Sequence, residues 1–150
     1  MKLNNLLQKK NSELIKISAD KPVFDAVRLL NKHKIGSLLV MNPDKKLEGI
    51  LTERDILFKC LNNDRDNKNT KVSEIMTPKD KLIIGTAEDT LSYAMKVMTN
   101  KRIRHLPIVD KEKVIGLVSI GDVIKAVLDQ SENEVKLLRE YITNPYGINL

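Results

Sequence analysis

Aromatic side chains make up only 3% of the 150 residues, tryptophan is absent, and there is a single cysteine, Cys60. So few rings leave an aliphatic core of Ile, Leu, Val and Met, and they argue against a single-stranded nucleic-acid platform, which depends on stacked aromatics. One thiol excludes an internal disulfide and any cysteine-based zinc cluster. Two histidines, His33 and His105, leave little for a His-rich metal site, so no metal is expected. No apolar run approaches the roughly 18 residues of a membrane span. Met1 to Lys10 alternates Asn, Lys and Leu, without the continuous apolar stretch of a secretory signal. These absences together predict a cytoplasmic protein with no membrane partner.

What is present is the balance of a soluble globular protein, 41% hydrophobic and 31% charged. A net charge of +6 is a modest excess over 20 acidic residues. It permits phosphate-bearing partners without specifying nucleic acid, which is not the expected partner. The main basic cluster is Lys101, Arg102, Arg104 and His105; an ordinary solvated face is the plain alternative.

An internal repeat organises the chain. Ser18 to Val27 aligns with Thr86 to Met95 at an offset of 68, and Ile35–Val40 falls on Ile103–Ile108. After a one-residue deletion, Gly49–Ile56 falls on Gly116–Val123. In each copy an amphipathic helix (Val23, Ala26, Val27, Leu30; Leu91, Ala94, Met95, Met98) precedes two short strands around a tight turn, and a second helix begins at Thr52 or Ser119. The predicted class is α+β, with two pseudo-symmetric β-α-β-β-α motifs packed through their sheets and a C-terminal helix. One copy alone is too small to bury both faces of its sheet. The expected divisions are an N-terminal segment (1–13), motif 1 (14–61), a polar linker (62–75), motif 2 (76–129) and a C-terminal helix and tail (130–150). Ser131-Glu132-Asn133-Glu134 has the form of a capping box. The stripe of Val135, Leu138, Tyr141 and Ile142 behind it predicts packing within a protomer or a dimer, with the helix ending before Pro145.

The sharpest recurrence is Gly-x-x-Ser/Thr-x-x-Asp, at Gly49, Thr52, Asp55 and at Gly116, Ser119, Asp122. A hydroxyl N-cap with Asp in the first turn is ordinary helix-start chemistry. The same carboxylate can also accept ribose hydroxyls while the helix's free N–H groups favour a phosphate. No Walker-type glycine loop, Ser/His/Asp order or metal-ligand spacing appears, and Cys60 has no base near it in sequence, so no catalysis is expected.

With Met76-Thr77-Pro78, Arg104-His105-Leu106-Pro107-Ile108-Val109-Asp110, Gly116 to Asp122 and the matching Gly49 to Asp55, residues 14–128 resemble a tandem cystathionine-beta-synthase (CBS) domain pair, the Bateman module. The resemblance implies a non-catalytic regulatory module with two clefts that take adenosine-containing ligands. AMP, ADP and ATP head that class, and NAD and S-adenosylmethionine also belong to it. No cofactor is required. It further implies a homodimer and a separate, unidentified protein partner. Carried over residue by residue, the main cleft would use Asp122 and Ser119 for ribose, Ala26, Ile35 and Gly36 for the adenine wall, and Lys21, Arg104 and His105 on the phosphate side. The second would use Thr52 and Asp55 for ribose and Ala94, Ile103 and Arg104 for the base, with Asp89 where the first has Lys21. That contrast predicts tighter binding of a phosphorylated adenosine in the Asp122 cleft. For Lys21 an exposed surface lysine, and for His105 a hydrogen-bonded structural histidine, remain alternatives. Gln8-Lys9-Lys10 replaces Met76-Thr77-Pro78 in the first copy, so its leading segment is expected to run differently. A structural interaction module with unoccupied clefts is the rival function.

Overall fold

The computed structural model describes residues 1–11 and 13–144. In chain order the elements are α1 (Leu3–Lys10), β1 (Lys16–Ile17), α2 (Val23–His33), β2 (Ser37–Met41), β3 (Leu47–Thr52) and α3 (Glu53–Asp55), which runs on as a π-helical turn over Ile56–Leu61. They continue with α4 (Val72–Ile75), β4 (Thr77–Pro78), a 3₁₀ turn (Lys79–Lys81), α5 (Leu91–Lys101), β5 (His105–Asp110), β6 (Lys113–Ser119) and α6 (Ile120–Thr143). The architecture is the predicted α+β duplication with a C-terminal helix.

The repeat recurs in its details. Helices α2 and α5 bury Val23, Ala26, Leu30 and Leu91, Ala94, Met98 at helical spacing. Both stop at a residue in the left-handed region, Lys34 (φ 52°) and Arg102 (φ 53°). The hairpins β2–β3 and β5–β6 each shift register once, at Val40/Met41 and at Ile108/Val109. In the first sheet the order is β1-β2-β3-β4, with β1 parallel to β2 and the other pairs antiparallel. In the second, Gly85 lies parallel beside Ile108 as Ile17 lies beside Val40.

Each half is completed by the segment that leads into the other. The amides of Leu3 and Asn4 in α1 donate to the carbonyls of Asp89 (2.8 Å) and Ala87 (3.0 Å), and Leu91 donates to Met1 (2.8 Å). In the other half, Val72 and Ser73 in α4 donate to Lys21 and Ala19 (both 2.8 Å), and Val23 donates to Thr70 (2.8 Å). Leu3 and Leu6 therefore enter the core of Leu106, Ile108 and Val118, while Val72 and Ile75 enter that of Leu38, Val40 and Leu51. A third cluster of Leu39, Met41, Leu47, Ile50 and Val114 joins the two sheets. Each fully buried aliphatic side chain contributes about 1.5–3 kcal/mol, and the crossing makes both cores depend on both halves.

The leading segments then diverge, as the Gln8-Lys9-Lys10 difference predicts. Pro78 cannot donate to a helix ladder, so α4 stops at Ile75 and Thr77–Pro78 pairs with β3. No proline interrupts α1, which stays helical to Lys10 and lays Leu7 against Gly116.

Two features of the C-terminal region differ from the sequence reading. Ser131 is not a helix start, because α6 runs unbroken for 24 residues from its cap at Ser119. Of the two expected packings for the stripe of Val135, Leu138, Tyr141 and Ile142, the one within the protomer is not found among the described residues, where every residue from Ser131 to Asn144 is exposed. Pro145 and the tail after it lie outside the described residues.

Candidate ligand clefts

Both Gly-x-x-Ser/Thr-x-x-Asp motifs fold as strand, cap and helix. Thr52 Oγ1 accepts the Asp55 amide (3.1 Å) and Asp55 Oδ2 accepts the Thr52 amide (3.0 Å). Ser119 Oγ accepts the Asp122 amide (3.1 Å) and Asp122 Oδ2 accepts the Ser119 amide (2.9 Å). These reciprocal bonds satisfy orphan amides of the helix starts and fix each carboxylate at a strand end.

The second partners differ. Asp55 is buried, and its Oδ1 accepts from Lys59 Nζ (2.9 Å) and, weakly, from Thr77 Oγ1 (3.4 Å). Asp122 lacks a lysine one turn on, since Ala126 stands there. Instead Lys10 Nζ, from the extended end of α1, donates to Asp122 Oδ2 (2.8 Å) and to the Leu117 carbonyl (2.9 Å). Partial burial works to raise the Asp122 pKa, but the Lys10 ammonium and the Ser119 amide outweigh it and hold the carboxyl below its ordinary value.

Two clefts lie between the halves. The first, about 560 Å³, is lined by Lys10, Ile35, Gly36, His105, Gly116 and Ser119, with His33 and Glu13 at its margin. The second, about 520 Å³, is lined by Thr52, Arg54, Thr77, Ile103 and Arg104, and by Lys81, Lys101 and Arg102. Gly36 and His105 border both. Burial lowers the His105 pKa, with Lys10 and Arg104 adding to the effect and Asp122 and Glu53 opposing it.

The predicted site residues separate accordingly. Ile35, Gly36, His105 and Ser119 line the first cleft with Asp122 bonded behind Ser119; Thr52 and Ile103 line the second, with Asp55 bonded behind Thr52. Arg104 lines the second cleft and not the first. Ala26 and Ala94 are fully buried in the two cores and form no cleft wall, because the periodicity that made them visible is that of the helix faces turned inward. Lys21 borders a separate depression with Lys16, Ser18, Asp25 and Asn42. Asp89 closes a turn by accepting the Thr86 amide (2.8 Å).

The charge asymmetry is therefore the reverse of the expected one. With Lys21 and Arg104 gone from the Asp122 cleft, its lining carries Lys10, already paired with Asp122, and the carboxylate of Glu13. The Thr52 cleft gathers Lys81, Lys101, Arg102 and Arg104, none of which has an ion-pair partner among the described residues. The sequence signal for this was the basic cluster at the end of α5; the contribution of Lys10 was hinted at only by Gln8-Lys9-Lys10. Among the described residues no group of three His, Cys, Asp or Glu side chains could hold a metal, and no helix is long and apolar enough to cross a membrane.

Comparison with known proteins places this geometry. The family model described as the CBS domain matches twice, over residues 10–62 and 72–129. The chain is 43% identical over 131 residues to the CBS domain-containing protein CBSX3, mitochondrial, of Arabidopsis thaliana, covering 86% of this chain and 64% of that protein, so it spans a little under two thirds of that relative's length. A crystal structure of the CBS domain NE2398 superposes with a TM-score of 0.79 at 41% identity, covering 85% of this chain and 98% of that one. Inosine-5'-monophosphate dehydrogenase of Bacillus subtilis matches at 34% identity over 74% of this chain but only 22% of the enzyme, and that match carries no catalytic assignment.

Proposed function

The chain belongs to the CBS-domain family as a tandem pair, a regulatory and generally non-catalytic unit, and on that premise we propose that it binds a phosphorylated adenosine in the cleft bounded by Thr52 and Arg104. The single observation that carries this reading is the set of five cations without an ion-pair partner among the described residues, Arg54, Lys81, Lys101, Arg102 and Arg104, against one lining carboxylate, Glu53, at a cleft that also holds a strand-to-helix start. Unpaired ammonium and guanidinium groups converging on a concave site gain charge-assisted hydrogen bonds from a phosphate chain. Thr52 supplies a hydroxyl at the ribose position, and Ile103 and Ile50 supply apolar wall for the base. AMP, ADP and ATP fit this chemistry, with charge favouring the longer phosphate chains; NAD and S-adenosylmethionine share the adenosine part. Because the cleft is built from both halves, ligand that contacts both favours one relative arrangement of them and shifts the population toward it. That shift would be read by a protein partner or across a homodimer.

A second reading has its own observation. Both aspartates are already engaged, in capping boxes and with Lys59 or Lys10, which is what a purely structural interaction module with unoccupied clefts would show. Calorimetric titration with AMP, ADP, ATP, NAD and S-adenosylmethionine decides between them. Under the ligand reading at least one binds, and Arg102→Ala with Arg104→Ala weakens it by about 10-fold or more per lost charge-assisted bond. No heat and no thermal stabilisation with any of the five would establish the unoccupied scaffold.

A further inference from the structure

The distal half of α6 stands apart from the folded body. From Ser131 to Thr143 it is helical yet exposed at every position, including Val135 at 43%, Leu138 at 61% and Ile142 at 75%. A 13-residue helical segment without tertiary support is marginal in water, and exposed aliphatic rows of this kind mark contact surfaces.

The spacing identifies the contact. Ile124, Leu128, Ser131, Val135, Leu138 and Ile142 follow one another at intervals of four, three, four, three and four, the rhythm of a two-helix seam. In heptad terms Leu128, Val135 and Ile142 occupy a, while Ile124, Ser131 and Leu138 occupy d. Two of the three a residues are β-branched, which favours pairs over larger bundles, and the polar Ser131 at the centre penalises slipped registers. Beside the seam, Glu134 falls at g and Arg139 at e. Five residues apart, they cannot meet on their own helix, and neither has an ion-pair partner among the described residues. In a parallel in-register pair, Glu134 faces the partner's Arg139 twice by symmetry. An antiparallel alignment packs a against d, so that Ser131 faces Val135, and sets Glu132 against its own copy and Lys125 against Arg139, both like-charged.

We propose that the occupant of this face is a second copy of the chain, its α6 packed parallel and in register along the Ile124–Ile142 seam. The contact closes as a twofold pair, each copy's seam being used up by the other's. It does not depend on the nucleotide reading, since no residue of α6 lines either cleft.

The test uses the full chain. Sedimentation at micromolar concentration should show a dimer, and Leu138→Asp should weaken association by about tenfold or more. Glu134→Arg should weaken it, and Glu134→Arg combined with Arg139→Glu should restore it. Cys60 is buried, so Ser131→Cys under mild oxidation should give a covalent dimer, because equivalent d positions meet only in the parallel register. A monomeric wild type, a dimer indifferent to Leu138→Asp, or a dimer with neither charge rescue nor the Ser131→Cys crosslink would overturn the proposal. Titrating Leu138→Asp with ATP keeps the two readings distinct: the clefts should bind as in the wild type whatever becomes of the dimer.

Discussion

The two halves share a repeat, a hairpin geometry and a capping box, yet one cleft gathers an excess of cations and the other does not. At the Asp122 motif the carboxylate meets a lysine delivered from 112 positions away, and that lysine and Glu13 are the oppositely charged groups that line the cleft. At the Asp55 motif a lysine one turn along the same helix neutralises the carboxylate, and five cations around the cleft have no ion-pair partner among the described residues. Duplication has preserved the backbone frame while charge diverged at the helix ends. The end of α5 carries Lys101 and Arg102, with Arg104 just beyond it; the matching end of α2 carries His33, Lys34 and Gly36.

The strongest way to probe the comparison is at the two strand glycines. A Cβ on Gly49 would lie 2.5 Å from the Thr77 carbonyl oxygen, which β-pairing holds in place. On Gly116 it would meet only the end of the Leu7 side chain, at a nominal separation that rotation of that side chain relieves. Gly49→Ala should therefore cost about 3 kcal/mol and Gly116→Ala about 1 kcal/mol, read from denaturant midpoints. Equal costs would show that α1 is held as rigidly as β4.

Binding sharpens it next. Arg102→Ala and Arg104→Ala should weaken ATP more than AMP, with stability unchanged, since both side chains lie in the Thr52 cleft without ion pairs. An effect from Lys21→Ala of the same size would return the phosphate site to the other half. A smaller effect comes from His105, which borders both clefts. Its folded pKa lies below the ordinary value of about 6.5. The unfolded chain therefore takes up the proton first, and stability is lost as pH falls through that region. His105→Gln should flatten the slope of unfolding free energy near pH 6.

The smallest change is at Lys10. Because the Asp122 pKa is depressed in the folded chain, the pair stabilises above the unfolded value of about 3.9, and this is lost as pH falls through the folded pKa. Lys10→Ala should cost less than about 1 kcal/mol at neutral pH for so solvent-exposed a pair. The difference from wild type should vanish in acid; persistence at low pH would assign the loss to α1 packing instead.

Periodicity and motif spacing were enough to read the duplication, both hairpins and the helix starts at Thr52 and Ser119, because those depend on local rules of propensity, capping and turn chemistry; the CBS family was legible as a resemblance, from its motifs. The assignment of Ile35, Gly36, Ser119, Thr52 and Ile103 to the clefts was implied by the family resemblance, and these residues line the two clefts. Ala26 and Ala94 were misplaced because an inward helix face and a cleft wall look alike in sequence when both call for small apolar residues. The fates of Lys21, Arg104 and Lys10 were decided only by tertiary structure. A charged side chain has no periodic signature, and its partner is set by which segments the crossed packing of α1 and α4 brings together. The sequence by itself determined the elements and their pairing within each half; three-dimensional packing alone decided which cleft is cationic and left the apolar seam of distal α6 exposed among the described residues.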